Sequence, residues 1–197
     1  MSRGKLIVIE GAPETGKQDQ AELLRNHLRK KLGITAMYEG NLRGSDFDAK
    51  SLDLLKDATE EATLSKHLLR AARLAHRMET IVSPSLELGE NVIMTRSWLS
   101  IAVENPLSVS ALKRRQADTM ATYGQFVQPD LLVLLLAQAP NRSVLSTRYS
   151  STGFATIDAR YGVYATDPNI HSVIVGAPDV LQFKIQNLVE TTLGITP

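Results

Sequence analysis

Apolar runs of strand length recur five times along the chain, separated by stretches with helical periodicity or by polar loops. One run, LLVLLLA after Asp130, contains no polar residue, which is typical of a parallel strand that is covered on both faces. Strands that alternate with helices predict an α/β doubly wound parallel five-stranded sheet that binds ligands beyond the carboxyl ends of its strands. The other predicted strands are Leu6–Ile9, Ile34–Tyr38, Asn91–Met94 and His171–Val175.

Two amphipathic helices are predicted between these strands. The first begins near Lys17 and its apolar pattern ends at Gly33, where a glycine can close the last helical turn. In the second, apolar side chains recur at helical spacing from Leu64 to Leu86. The polar, glycine-containing stretch Glu39–Lys50 predicts a loop with little regular structure.

No repeat, low-complexity tract or linker divides residues 1–197, so we expect a single domain. The segment Tyr149–Phe154 is polar and ends in Thr-Gly-Phe. Because this composition offers little to bury, we predict a short mobile lid at about residues 149–158, with an ordinary surface loop as the alternative.

Composition restricts the class of partner. Twenty-two basic and 21 acidic residues give a net charge of +1, which argues against nucleic acid or an anionic membrane as a partner. The chain has no cysteine, so disulfides, thiolate metal sites and a cysteine nucleophile are excluded. The start runs directly into a strand, and no apolar run approaches the length of a membrane span. We therefore expect a cytoplasmic protein.

A phosphate-binding motif lies between the first predicted strand and the first predicted helix. The glycine spacing lets backbone N–H groups converge on a β-phosphate, and Lys17 can bridge β and γ oxygens. The motif predicts a P-loop NTPase-type fold that binds ATP; the alternative is a glycine-rich turn with a surface lysine. The predicted nucleotide-binding residues are Gly11, Ala12, Pro13, Glu14, Thr15, Gly16, Lys17, Gln18 and Asp19.

The position after Lys17 departs from this motif. A serine or threonine hydroxyl is expected there to bind Mg²⁺, but the residue is Gln18. The amide oxygen of Gln18 and the carboxylate of Asp19 are the candidate metal ligands, although both side chains are longer than a hydroxyl and differently aimed.

Several landmarks in order resemble the thymidylate kinase family. The family's start resembles IVIEG, with the phosphate loop and Gln20 after it. Its long helix and the Asp-Arg strand end resemble LLRAARLAHRMETIVSPSLELGENVIMTR, its Pro-Asp-Leu strand resembles QPDLLVLLL, and its closing helix and strand are similar to ARYGVYATDPNIHSVIV. The resemblance implies a homodimer, paired through the helix around residues 61–87. It also implies transfer of a phosphoryl group from ATP, with Mg²⁺, to dTMP or a related, including 5-modified, deoxynucleoside monophosphate.

The resemblance implies roles for three catalytic side chains. Lys17 matches the lysine that contacts the donor phosphates, and Arg96 matches the arginine of the Asp-Arg pair, which contacts phosphate. Arg148 and Arg160 flank the predicted lid, where the family keeps arginines for the transferring phosphate. We take Lys17, Arg96 and Arg148 as the predicted catalytic residues; each arginine has a solvated surface charge as its alternative.

The acceptor pocket is expected to differ from that of the family. Arg73 matches the arginine that faces the thymine edge, with an interface ion pair as the alternative. Leu69 replaces a phenylalanine that stacks on the base, and Glu104 and Asn105 replace a Tyr-Gln pair that closes over base and sugar. The predicted substrate-binding residues are Leu69, Arg73, Arg96, Ser100, Glu104 and Asn105.

Two departures leave other functions open. Thr95 stands where the family has the aspartate of the Asp-Arg pair, and Gln18 stands where it has a hydroxyl. Both losses fall at the expected metal site, so one alternative is a catalytically inactive nucleotide-binding pseudokinase that acts through a partner. Another is a kinase for a nucleoside or for a modified base in DNA.

Overall fold

The computed structural model describes residues 2–38, 45–59, 62–104, 127–137 and 151–195. The described chain forms one parallel sheet with the strand order β2-β3-β1-β4-β5, which confirms the predicted fold class. The five strands are β1 (Leu6–Gly11), β2 (Ala36–Tyr38), β3 (Asn91–Met94), β4 (Leu131–Leu136) and β5 (Ile170–Ile174).

Helices cover both faces of the sheet. They are α1 (Lys17–Lys31), α2 (Asp46–Asp57), α3 (Thr63–Arg77), α4 (Ser83–Glu87), α5 (Trp98–Glu104), α6 (Ser151–Gly162) and α7 (Pro178–Leu193). None of these helices, within the ranges that are described, is long and apolar enough to cross a membrane.

The alternation of side chains along β1 divides the core into two halves. Leu6 and Val8 pack against the face that carries α3, α4, α5 and α6, whereas Ile7 and Ile9 pack against the face that carries α1 and α7. All four side chains are almost fully buried, and each contributes about 1.5–3 kcal/mol relative to an exposed side chain. Because β1 is the middle strand, its carboxyl end lies at the centre of the edge where all five parallel strands end.

Helix α1 ends as its sequence predicts. Gly33 adopts φ 65°, and the N–H of Ile34 donates to the carbonyl of Leu28 over 2.9 Å. This closure satisfies a carbonyl of the last turn, and the basic residues Arg29–Lys31 lie at the end of the helix that favours positive charge.

The long helix predicted from Leu64 to Leu86 is present but is not uniform. A five-residue π-helical turn, Met78–Val82, joins α3 to α4. Pro84 follows within α4 and has no N–H to donate to the carbonyl of Thr80 four residues earlier. The N–H of Ser83 instead donates to the carbonyl of Met78, five residues back, so the wider turn lies immediately before the proline.

The prediction of a loop over Glu39–Lys50 is wrong for its last five residues, which begin α2. Ser45 caps this helix because its side chain accepts a hydrogen bond from the N–H of Asp48 over 3.2 Å. A serine followed by acidic residues in the first turn favours a helix start, and the polar composition concealed this signal. Residues 39–44 lie outside the described residues.

The alternative expectation for Tyr149–Phe154, an ordinary surface loop, is wrong from residue 151 onward, because α6 begins there. The later part of α6 is anchored by the buried Tyr161, which belongs to the core on the α3 face. Anchoring at one end stabilises the whole helix, including its first turns. Residues 149–150 lie outside the described residues, and closure of this segment as a lid stays a prediction.

Candidate functional site

The phosphate loop between β1 and α1 has a backbone that few sequences could adopt. A Cβ atom on Gly11 would lie 2.8 Å from both the Leu135 carbonyl oxygen and Thr15 Oγ1, so only glycine fits. Glu14 has φ 64° and Gly16 has φ 77°, both in the left-handed region. A non-glycine residue in that region is uncommon and is often found where function requires the strain.

The interior of the loop is organised around one carbonyl. Thr15 donates from Oγ1 to the Ala12 oxygen over 2.9 Å, and Lys17 donates from Nζ to the same oxygen over 3.1 Å. The ammonium of Lys17 is therefore held over the loop. No described side chain caps the start of α1 after Gly16, which leaves the first N–H groups of this 15-residue helix directed at the loop. This arrangement suits the phosphates of ATP.

A cavity of about 790 Å³ opens beside the phosphate loop. It is bounded by the loop, by the residues that follow β3, and by α2, α3, α5 and α6. No aspartate or glutamate is among the described residues that line it, so the cavity favours an anionic ligand. Its cationic lining residues are Lys17, Lys56, Arg70, Arg73, Arg77, Arg96 and Arg160.

Two of these arginines are fixed by one buried carboxylate. Arg73 donates from Nε to Asp48 Oδ1 over 3.2 Å, and Arg77 donates from Nε to Asp48 Oδ2 over 3.0 Å. The Asp48 side chain is only 3% exposed. Because Asp48 belongs to α2 and both arginines belong to α3, the carboxylate joins two walls of the cavity. The ion pair that the structure shows for Arg73 thus lies within the chain.

The start of α2 is held against α3 by a second contact. Ser45 Oγ lies 2.9 Å from His76 Nε2, and the ring of Phe47 lies 4.6 Å from the His76 ring. Together with Asp48, these contacts place α2 across the polar face of α3, where its Leu52, Leu55 and Lys56 complete the cavity wall.

Glu10, which sequence reasoning missed, is a fully buried carboxylate at the end of β1. Its Oε1 accepts hydrogen bonds from Ser97 N (2.6 Å), Ser97 Oγ (2.7 Å) and Ser100 N (3.3 Å). Its Oε2 accepts from Ser100 Oγ (2.6 Å) and Tyr161 Oη (3.2 Å). Burial raises the pKa of this carboxyl above its ordinary 4.5, and outweighs the hydrogen bonds from Ser100 and Ser97 and the nearby charge of Lys17, which lower it.

Hydrogen bonds hold Arg160 and the residue before Arg96 in place. Thr95 is buried, and its Oγ1 lies 3.5 Å from the Tyr38 hydroxyl. Arg160 donates from Nη1 to the carbonyl of Val103 over 3.1 Å, which ties α6 to α5. Arg96 follows Thr95 directly and lines the cavity from the end of β3.

The structure brings together part of the predicted site. The predicted site residues that line the cavity are Gly11, Pro13, Lys17, Gln18, Arg73, Arg96 and Ser100. Those that the structure describes elsewhere are Ala12 and Thr15, buried inside the loop, and Glu14, Gly16, Asp19 and Leu69, which are not among the lining residues. Arg148, Asn105 and the side chain of Glu104 lie outside the described residues.

The candidate ligands for Mg²⁺ do not form a protein-built metal site. Gln18, whose side chain has a single amide oxygen, lines the cavity, whereas the exposed Asp19 beside it does not. In the described ranges, no group of three or more histidine or acidic side chains could hold a metal ion. The carboxylate of Glu10 is already occupied by five donors. The described residues therefore do not fit a magnesium cage.

Comparison with known proteins identifies the family. Residues 9–152 match the family model for thymidylate kinase. A thymidylate kinase from Clavibacter sepedonicus is 34% identical over 143 residues, which are 71% of this chain and 66% of that protein. One from Shewanella amazonensis is 29% identical over 135 residues, 67% of this chain and 64% of that protein. The match thus spans just under two thirds of the length of these curated relatives.

Solved structures show the same fold. The thymidylate kinase from Candida albicans superposes with a TM-score of 0.72 at 20% identity, covering 100% of this chain and 95% of that one. The enzyme from Ehrlichia chaffeensis superposes with a TM-score of 0.68 at 18% identity, covering 95% of this chain and 99% of that one. Since the family model matches well over half of its residues, the chain belongs to the thymidylate kinase family.

Proposed function

We propose that this protein transfers the γ-phosphoryl group of ATP to the phosphate of a deoxynucleoside monophosphate, either dTMP or a related, including 5-modified, deoxynucleotide. One observation carries the proposal: Lys17 of the phosphate loop and Arg96 at the end of β3 line the same cavity. Donor and acceptor phosphates can therefore meet between two cations. Family membership supports the same reaction class.

The reaction requires positioning and charge neutralisation more than covalent help from the protein. The phosphate loop and Lys17 hold the β- and γ-phosphates of ATP, while Arg96 and Arg160, which line the same cavity, attract the acceptor phosphate. An oxygen of the acceptor phosphate forms a bond to the γ-phosphorus as the bond from that phosphorus to the β,γ-bridging oxygen breaks. ADP and a nucleoside diphosphate result.

The far wall of the cavity is proposed to receive the base. Arg73 is held there by Asp48, and the apolar lining beside it consists of Leu52, Leu55 and Leu74. An arginine with a fixed plane can donate to a base carbonyl, and the aliphatic side chains contact the ring. This wall suits the planar base of the acceptor nucleotide, and we propose that the base lies here.

We also propose that the protein is a cytoplasmic homodimer paired through α3. Leu64 and Leu68, one turn apart on this helix, are 69% and 59% exposed. Two large apolar side chains on one exposed helical face favour burial against a second copy. Arg73 and Arg77 lie further along the same helix, so a dimer would place its contact near the acceptor wall.

A second candidate function is nucleotide binding without transfer. It is favoured by the cavity's lack of any carboxylate among its described lining residues, and by Thr95, whose hydroxyl lies against Tyr38. Such a protein would bind ATP through the phosphate loop and act through a partner.

The test is a screen for ADP formation from ATP and Mg²⁺, run with each deoxynucleoside and ribonucleoside monophosphate and with the parent nucleosides. Lys17→Ala should lower the rate about a hundredfold or more, because it removes charge next to the transferring group. Lys30→Ala is the matched control, since Lys30 lies on the exposed side of the same helix. ADP formation that needs no acceptor, or that survives Lys17→Ala, would reject the proposal.

A further inference from the structure

The buried carboxylate of Glu10 bridges three segments that each carry one cation of the cavity. Glu10 immediately precedes Gly11, where the phosphate loop that ends in Lys17 begins. It accepts from both N and Oγ of Ser97, the residue after Arg96. It also accepts from the hydroxyl of Tyr161, the residue after Arg160. Glu10 therefore joins the phosphate loop to the residues after β3 and to the end of α6.

We infer that Glu10 is a positioning residue that sets the distances between the phosphate loop, Arg96 after β3 and Arg160 near the end of α6. The inference rests on the proposed phosphoryl transfer for its kinetic consequence, but its structural consequence stands independently. Glu10 itself does not line the cavity and is fully buried, so it acts through its neighbours.

The cost of burying this group argues that it has a role. A carboxylate removed from water is unfavourable by several kcal/mol unless donors compensate it. A leucine would continue the apolar face formed by Leu6 and Val8 without that cost. The five donors come from residues 87, 90 and 151 positions away, so the carboxylate fixes tertiary geometry rather than a local turn.

The two oxygens of Glu10 hold different parts of the structure. Oε1 holds the backbone and side chain of Ser97 together with Ser100 N, and so fixes the first turn of α5. Oε2 holds the hydroxyls of Ser100 and Tyr161, which lie 3.4 Å apart, and so fixes α5 against α6. The bond from Arg160 Nη1 to the Val103 carbonyl closes the same pair of helices at a second point.

Glu10→Gln isolates the Oε2 half of this network. The amide keeps one acceptor oxygen for Ser97 but presents an N–H₂ group to Ser100 and Tyr161. We expect kcat to fall about tenfold or more while the dissociation constant for ATP changes less than about threefold, because the phosphate loop itself is intact. Tyr161→Phe removes one donor and leaves the carboxylate, so it should lower kcat only a few-fold.

Trp98 supplies a readout that does not depend on turnover. It is the only tryptophan of the chain, it follows Ser97, it is 8% exposed, and its ring lies 6.3 Å from that of Tyr164. If Glu10 Oε2 fixes α5 against the end of α6, quenching of Trp98 fluorescence by acrylamide should rise roughly twofold in Glu10→Gln, because Trp98 on α5 and Tyr164 just after α6 then separate more often.

Asp130→Asn is the matched control. This carboxylate also accepts from a backbone N–H of β1, that of Leu6 over 2.8 Å, but at the opposite end of the strand. Asp130→Asn should lower stability without changing the quenching of Trp98 or kcat.

Unchanged quenching of Trp98 in Glu10→Gln would overturn the inference, and so would unchanged kcat in an active protein whose quenching rises. If wild-type protein transfers no phosphoryl group, the proposed function fails, and quenching alone decides the role of Glu10.

Discussion

Arg73 donates from Nε to the buried Asp48 Oδ1 across 3.2 Å, joining the long helix to the helix that follows β2. Asp48 also accepts from Arg77, one helical turn further along. A guanidinium held through Nε keeps its plane fixed, and a fixed plane suits the contact with a base edge that we propose for Arg73. The position of α2 and the orientation of two arginines in the cavity wall are therefore set by the same carboxylate.

Asp48→Asn should weaken acceptor binding. The amide removes the charge that orients both arginines, so we expect KM for the acceptor to rise about tenfold with little change in KM for ATP. The free energy of unfolding should fall by about 1–3 kcal/mol because a buried ionic contact is lost.

Asp53→Asn is the control for this change. Asp53 lies on the same helix, but its ion pair with Lys56 is exposed, at 69% and 72%. An exposed pair contributes about 0–1 kcal/mol, so kinetics and stability should stay close to those of the wild type. Equal effects of the two substitutions on acceptor KM would contradict the role of Asp48.

Gln18→Thr combined with Thr95→Asp should raise phosphoryl transfer. The pair restores a hydroxyl and a carboxylate at two positions that line the cavity, and these groups suit a magnesium ion carried by ATP. We expect kcat to increase about tenfold if the metal site limits the reaction. Titration of activity against Mg²⁺ checks the reason, since the half-saturating concentration should fall as well. A variant with unchanged rate and unchanged Mg²⁺ dependence would show that Gln18 and Thr95 do not limit phosphoryl transfer.

The stability of the protein should depend on pH through Glu10. Its pKa is raised in the folded state, so above pH 4.5 the unfolded chain releases this proton before the folded protein does. The contribution of Glu10 to stability is therefore fully present below pH 4.5 and is lost as the pH rises through the folded pKa. In urea unfolding from pH 4 to 8, Glu10→Gln should become more stable relative to the wild type as the pH rises.

The contribution of Asp130 to stability should depend on pH in the opposite direction. Burial raises the pKa of its carboxyl, but the Leu6 N–H, the Lys5 ammonium and the charge of Arg3 together lower it below the ordinary 3.8. Its contribution is present above pH 3.8 and is lost as the pH falls through the folded pKa. Asp130→Asn should thus cost most near neutral pH and least in acid. Parallel pH profiles for the two variants would contradict both assignments.

Dimerisation through α3 should be lost when its exposed apolar face is charged. Leu64→Glu with Leu68→Glu places two carboxylates at that face, and sedimentation equilibrium should then report a monomer. Leu88→Glu is the control, because Leu88 is 74% exposed but lies beyond the end of α4. A wild-type protein that sediments as a monomer would contradict the proposed dimer.

The sheet could be predicted because its signals are local. Unbroken or alternating apolar runs identify strands, and the glycine spacing identifies the turn between β1 and α1. The start of α2 was missed because the Ser45 cap lies in a stretch whose composition resembles a loop. The helical nature of residues 151–158 was missed for a related reason, since α6 is anchored by Tyr161 at its far end.

The parts of the site that sequence reasoning missed are held by distant partners. Asp48 meets arginines 25 and 29 residues away, and Glu10 meets donors from 87 to 151 residues away. A glutamate after an apolar run is typical of the polar end of a strand. Nothing near Glu10 in the sequence identifies Ser97, Ser100 or Tyr161 as its partners. Such contacts depend on topology, which brings strand ends and helix starts together only in the folded protein.

Transfer from ATP to a nucleoside monophosphate moves the γ-phosphoryl group to a defined position, so a radioactive label on that group reports whether the transfer occurs. The protein is incubated with ATP labelled in its γ-phosphate, Mg²⁺ and dTMP or a 5-modified analogue, and the products are separated. We predict that the label appears in the β-phosphate of a nucleoside diphosphate, in amounts equal to the ADP formed, and is lost with Lys17→Ala. Label that stays in ATP, or that appears only as inorganic phosphate, would show that the protein does not carry out this transfer.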